Sequence, residues 1–243
     1  MSSSTTTIQP QSKEERIKFL KDSFMKAIQN SPKYKYESEN KAQIVTFENS
    51  LYLRGGLYMC ITDFCESLNS CYLWCKKTKD CNTIYFFINS SGGEKRVKNT
   101  CVKRMQLFKN RYQKYNIRIE CIVIQYCCSA AVELALECDT VKVYKNAKMG
   151  IHYIQNIKYE FKNENDNLSS IKQVNSERVL LEENKECIEN YYESKLKLDT
   201  SLVKRLLTES KLLNTEEILQ YNLATEVIDI LPQQFNELRK QIK

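Results

Sequence analysis

Glycine is scarce in this chain. Five occur in 243 residues, far below the usual share of about 7%, and four of the five come as the doublets Gly55-Gly56 and Gly92-Gly93. A sequence this sparing with glycine places those doublets for backbone reasons. No apolar run approaches the roughly 18 residues of a spanning helix, which excludes a membrane-embedded protein. The opening MSSSTTTIQPQSKEER has no apolar stretch between a basic start and a small-residue cleavage site, so no secretory signal is visible, and an upstream targeting segment already removed stays open. No close cysteine pairs form a two-by-two array with metal-site spacing, so neither a metal nor any other cofactor is expected. The 37 Lys and Arg are scattered among 30 Asp and Glu rather than striped along one helix. Their excess of +7 therefore reads as a solvated surface, not a nucleic-acid-binding face. No internal repeat is evident.

What is present is the composition of a globular protein, 42% hydrophobic and 28% charged, long enough for one sizeable core. The eleven cysteines, one over an even number, read as reduced thiols inside a cell or organelle. Residues 1–14 are Ser/Thr-rich without periodicity and are expected to be disordered. An N-terminal helical and extended segment follows over 15–47, its helix carried by the apolar spacing of 15–30. The main domain spans 48–231, and 232–243 is expected to be a C-terminal tail. Within the domain, SLYLRGG reads as a strand and 62–77 as a helix. Thr83–Ile88 (TIYFFI) is an aromatic, β-branched strand that leads through NSSGG into a helix. IRIECIVI, 117–124, has the continuous apolar pattern of a parallel strand covered on both faces. SAAVELALE is a helix, DTVKVY and AKMGIH are strands, and 155–196 is a long polar insertion ending in a helix. Two short helices over 200–209 and 215–221 precede a last strand, ATEVIDI. Strands alternating with helices imply an α/β sheet with right-handed crossovers and helices on both sides.

Three strand ends carry chemistry: INSSGG, QYCCS before a helix, and GIH. In an open α/β sheet the carboxyl ends of parallel strands face one crevice, which brings Gly93, Ser129 and His152 within range of one another. Acyl transfer assigns them roles. Ser129 is the candidate nucleophile, His152 the base, and the N–H groups of Gly93 and Ala130 the oxyanion donors, with glycine at 93 leaving room for a substrate carbonyl. Each feature also has a plain structural meaning: an N-cap serine, a hydrogen-bonding histidine, a Gly-Gly turn.

INSSGG followed by a helix containing MQ, then CCSAA, then IHY, resembles the ClpP family of Clp protease proteolytic subunits. That family has INSPGG, Ala-Ala-Ser-Met-Gly and Met-Ile-His-Gln-Pro in the same order. SLYLRGGL and LLNTEEILQYNLATEVI resemble its first core strand and its closing helix and strand, so the likeness covers roughly 50–230. It implies an α/β ClpP/crotonase-type fold with a mixed, mostly parallel sheet, covering helices, a longer loop at 109–117 and a protruding handle built from 155–196. It places Ser129 on the nucleophile, His152 on the base, and Gly93 and Ala130 on the oxyanion donors. The family aspartate falls on Ser210, preceded by Glu209 where an arginine is usual. Ser91 for proline, the flanking Cys127 and Cys128, Ala131 for glycine and Tyr153 for glutamine depart from the pattern in the same direction. Together these resemble the degenerate ClpR-type paralogue of cyanobacteria, plastids and apicoplasts.

The resemblance therefore implies a non-catalytic or severely impaired ring subunit, structural or regulatory within an ATP-dependent Clp complex, in a plastid-type organelle. It implies a heptameric ring, ClpP subunits beside it, an Hsp100-type ATPase unfoldase and unfolded polypeptide as partners, with no membrane or nucleic acid. Tyr85 and Phe87 alternate on one side of their strand. By resemblance they line an unfoldase-docking pocket with Leu107, Ile122 and Ile124, and Lys142 replaces an apolar member. The alternatives are an active serine endopeptidase using Ser129 and His152 with a displaced acid such as Glu209, Asp199 or Glu216, and a crotonase-like acyl-CoA enzyme.

Overall fold

The computed structural model describes residues 42–58, 60–153 and 185–241. The expected N-terminal helix at 15–30 and most of the insertion, 154–184, lie outside the described residues.

Seven strands form one sheet: β1 (Gln43–Phe47), β2 (Ser50–Arg54), β3 (Thr83–Ser90), β4 (Arg118–Cys128), β5 (Thr140–Tyr144), β6 (Lys148–Gly150) and β7 (Glu226–Ile228). The order is β1-β2-β3-β4-β5-β7, with β6 paired to the far end of β4. Among these strands the β1–β2 pair is antiparallel and the other pairs are parallel. Around the sheet lie α1 (Ile61–Lys77), α2 (Lys95–Tyr112), α3 (Ala130–Ala135), the helical segment 185–196 (α4), α5 (Thr200–Glu209), α6 (Thr215–Gln220) and α7 (Gln233–Gln241). The loop expected at 109–117 is mostly helix: α2 runs to Tyr112 and a 3₁₀ turn, Gln113–Tyr115, follows.

β4 organises the rest. Its first half, Glu120–Val123, pairs with β5, and its last three residues pair with β6. A register shift between Ile88 and Ser90 sets Ser90 opposite Cys127, a bulge that bends the strand at its carboxyl end. The candidate site is built on that end.

The two faces of β3 bury different cores, as its alternation requires. Ile84, Phe86 and Ile88 join the main core under α1, α2, α3 and α5. Phe87 and half-buried Tyr85 join a smaller cluster with Tyr52, Ile122 and Ile124, capped by Phe235 and Leu238 of α7. The stretch expected to be a tail thus contains a packed helix, whose Phe235 ring sits 5.2 Å from Tyr52 and 5.0 Å from Phe87. Each fully buried side chain of this size contributes roughly 1.5–3 kcal/mol.

α2 corrects the expectation of unstriped basic charge: KRVKNTCVKRMQLFKNRY carries Lys and Arg throughout and no Asp or Glu. Two of its lysines are nevertheless committed inward, Lys98 to Glu133 and Lys109 to Asp139 at 2.6 Å.

Candidate active site

The serine half of the site is held by main chain. After β3, the Ser90 hydroxyl accepts the Gly92 N–H at 3.2 Å, the Gly92 carbonyl accepts the Leu57 N–H at 2.7 Å, and the Leu57 carbonyl accepts the Glu94 N–H at 3.2 Å. Gly92 has φ +99, and a Cβ there would stand 2.7 Å from both the Cys128 carbonyl oxygen and Ser129 Cβ. Gly93, φ +156, would drive a Cβ into the Leu57 main chain at 2.6–2.9 Å. Glycine at 93 is thus required by the close approach of Leu57, a different reason from the substrate clearance expected.

Ser129 sits between β4 and α3 with φ 54 and ψ −130, a conformation that costs a non-glycine residue about 1–3 kcal/mol. Its N–H donates to the Gly150 carbonyl at 2.8 Å, and its own carbonyl accepts the Val132 N–H at 3.0 Å. A strained serine on a sharp strand-to-helix turn is nucleophile-elbow geometry. The N–H groups of Gly93 and Ala130 find no acceptor among the described residues, which leaves both for an oxyanion. The structure therefore brings Gly92-Gly93 and Ser129-Ala130 together.

The histidine half is built differently. β6 runs on into Ile151 and His152, stitched to the loop after α5: Met149 and Leu213 exchange N–H···O bonds of 3.3 and 2.8 Å, and the Tyr153 N–H donates to the Leu207 carbonyl at 3.3 Å. His152 Nδ1 lies 2.6 Å from the Tyr153 carbonyl oxygen. A carbonyl only accepts, so Nδ1 carries the proton and Nε2 is the basic nitrogen. No hydrogen bond joins His152 to Ser129 among the described residues.

Ser210 terminates α5 in the left-handed region, φ 51, with its N–H on the Leu206 carbonyl at 3.3 Å. Its hydroxyl donates to the Leu207 carbonyl at 3.2 Å, the same oxygen that accepts the Tyr153 N–H. Ser210 is thus one carbonyl away from the histidine segment, and its hydroxyl is spent on its own helix.

The three displaced-acid candidates are placed elsewhere. Asp199 caps α5, accepting the Leu202 N–H at 3.0 Å and the Ser201 hydroxyl at 2.5 Å, and these bonds hold its pKa below the usual carboxylate value. Glu209 faces Arg205 at 3.7 Å, and Glu216 is exposed on the first turn of α6. None contacts His152.

Sequence reasoning missed the groups that hold the two halves in place. Lys98, buried at 7% exposure, pairs with Glu133 and so ties the helix after the oxyanion turn to the helix after Ser129. The Tyr153 hydroxyl donates to Glu189 of α4 at 2.6 Å, and burial followed by that carboxylate pushes its pKa up to about 12. Glu137 accepts from Lys195 at 2.9 Å and from Gln106 and Tyr191, each at 3.1 Å. Burial alone would raise the Glu137 pKa, but these donors lower it on balance. The i, i+4 step from Ser129 to Glu133 was the available signal for the first of these contacts.

The five expected partner-binding residues divide. Tyr85, Phe87, Ile122 and Ile124 share one sheet face, where Phe235 of α7 covers Phe87. Leu107 is 53% exposed on α2, across the main core from them, so a single subunit does not bring it to that face. Lys142 bridges Glu120 at 3.3 Å and Glu226 at 3.1 Å on the strands either side. Among the described residues no cluster of His, Cys, Asp and Glu is arranged to hold a metal ion, and no described helix is long and apolar enough to cross a membrane.

A mostly parallel seven-stranded sheet covered by helices gives the described residues a ClpP-like α/β fold. Two solved structures of ClpP1 from Listeria monocytogenes share it. An asparagine-to-aspartate point mutant has a TM-score of 0.58 at 14% identity, over 75% of this chain and 92% of that one. The other gives 0.54, also at 14% identity, over 78% and 94%. No protein-family model and no curated protein sequence matches the chain.

Proposed function

We propose that this chain is a ring-forming subunit of a Clp-type ATP-dependent proteolytic complex whose own site is catalytically impaired. The observation that carries the proposal is the asymmetry at His152. Its Nδ1 rests on a neutral main-chain carbonyl, no carboxylate reaches it among the described residues, and the residue aligned with the family acid, Ser210, turns its hydroxyl to Leu207. A carbonyl orients imidazole but does not stabilise imidazolium as a carboxylate does. Loss of the triad aspartate costs serine proteases about 10⁴ in turnover. The ClpR-like identity, the heptameric ring, the active ClpP neighbours, the Hsp100-type unfoldase and the plastid-type organelle belong to this same proposal.

Mass photometry of the chain at micromolar concentration tests the assembly. A seven-membered ring is expected, and a monomer overturns it. Reaction with a fluorophosphonate probe tests the chemistry: labelling at Ser129 is slow in the unmodified chain. The second reading, an active endopeptidase, is favoured by one observation, the contact of Nδ1 with the Tyr153 carbonyl, which calls for the proton on Nδ1 and leaves Nε2 as the accepting nitrogen. Fast labelling at Ser129 decides for it.

A further inference from the structure

Apart from the site, the described cysteines are mostly sealed in the core as thiols: Cys60, Cys71, Cys101, Cys121 and Cys127 are all fully buried. One pair differs. Cys75, in the last turn of α1, is 4% exposed, and Cys81, just before β3, is half-buried. Their sulfurs are 3.4 Å apart, the Cys81 thiol donating to Cys75, whose own thiol points to the Thr83 carbonyl at 3.7 Å. The five residues between them, 76–80, are all exposed. That turn is a compact one: Thr78 N–H bonds the Trp74 carbonyl at 3.0 Å, Cys81 N–H bonds the Thr78 carbonyl at 3.3 Å, and Asp80 takes φ 61. Nothing packed on the turn resists the approach of about 1.4 Å that brings two sulfurs to the covalent distance of about 2.05 Å.

We propose that Cys75 and Cys81 form a modification site, oxidised by hydrogen peroxide to an intrachain disulfide that staples the end of α1 to the start of β3. The Cys81 thiolate attacks the peroxide O–O bond, becoming a sulfenic acid as hydroxide leaves and takes up the thiol proton as water. Cys75 sulfur then attacks Cys81 sulfur, and the sulfenic oxygen departs as a second water with the Cys75 proton. Two thiols are oxidised and one peroxide is reduced. The order of attack follows from burial: Cys81 meets solvent, whereas burial and then the Cys81 contact push the Cys75 thiol up to about 12, so it acts second. The product joins elements that already meet, because the Cys75 thiol at the end of α1 reaches the Thr83 carbonyl at the start of β3.

The full chain is treated with peroxide under native conditions, remaining thiols are blocked with N-ethylmaleimide, and the protein is digested with trypsin without reduction. Trypsin cuts after Lys76, Lys77 and Lys79, between the two cysteines, so fragments 55–76 and 80–95 stay joined only through a disulfide. The expected result is that this joined species exceeds any other linked pair by about tenfold or more, since Cys60 and Cys101 touch but are both sealed from solvent, and Cys138, which touches buried Cys121, directs its thiol to Met105 and the Leu134 carbonyl. Fragmentation assigns the link to Cys75 rather than Cys60, Cys65 or Cys71, and dithiothreitol returns both thiols to alkylation. Cys81→Ser, a half-exposed and conservative change, abolishes the species. Joining through another cysteine, or a Cys81 that stays alkylatable while exposed Cys187 is oxidised, overturns the proposal.

Discussion

The two halves of the candidate site are held by different physics. On the serine side, the tightest constraints involve main chain, Gly92 against Ser129, Gly93 against Leu57 and the Ser129 N–H on Gly150, with the Ser90 hydroxyl and the Lys98–Glu133 pair beside them. On the histidine side, the ring meets one neighbouring carbonyl, and the strand that carries it is stitched by main chain to Leu213 and Leu207 and tethered by the Tyr153 hydroxyl to Glu189 of α4. Main-chain packing leaves the strained serine in place whatever the chemistry needs, whereas side-chain support is lost one residue at a time.

The largest expected effect breaks the serine half. Gly93→Val puts branched carbons into the Leu57 main chain, and destabilisation of about 3 kcal/mol or more is expected by urea unfolding, the scale of backbone clash and strain combined. A change below about 1 kcal/mol would mean that the oxyanion turn is not packed as described.

Ser210→Asp sharpens the other half. The left-handed φ of 51 suits aspartate, and a carboxylate cannot stay against the Leu207 carbonyl, so it turns off the helix toward the histidine segment. Fluorophosphonate labelling of Ser129 is expected to rise by about 10- to 100-fold, less than the full 10⁴ because Ser129 and His152 are not yet hydrogen-bonded. Ser210→Asn is the control, with no charge to offer and no gain in rate.

Tyr153→Phe removes the tether from the histidine strand to Glu189. About 1 kcal/mol of stability should go, since Lys204, 3.4 Å from Glu189, still balances that carboxylate. The same variant should exchange the amides of 185–196 faster in hydrogen–deuterium exchange while leaving 130–135 unchanged.

The smallest effect is one of pH. Glu137 has a pKa below 4.5 in the folded protein, so its contribution is fully present above that value and is lost as pH falls through its lower, folded pKa. Exchange in 185–196 should accelerate first on acidification, and Glu137→Gln should remove that dependence.

Most of the fold was legible because the core strands are strongly patterned. TIYFFI and IRIECIVI could hardly be anything else, and their carboxyl ends located the serine and the glycine turn. α7 was not legible: PQQFNELRKQ offers only Phe235 and Leu238 to bury, and its helix is fixed by the aromatic cluster it covers. β1 was equally hidden, a mixed segment made regular by antiparallel pairing to β2. The role of Ser210 was legible as a position and not as a contact, because the direction of one hydroxyl depends on which of two carbonyls the helix end leaves open.

The central claim is that Ser129 is a positioned but unactivated nucleophile. Hydrolysis of short fluorogenic peptides by the unmodified chain, measured beside Ser129→Ala, tests it most directly. The account predicts equal, background rates for the two proteins. Robust hydrolysis by the unmodified chain that disappears in Ser129→Ala would contradict it.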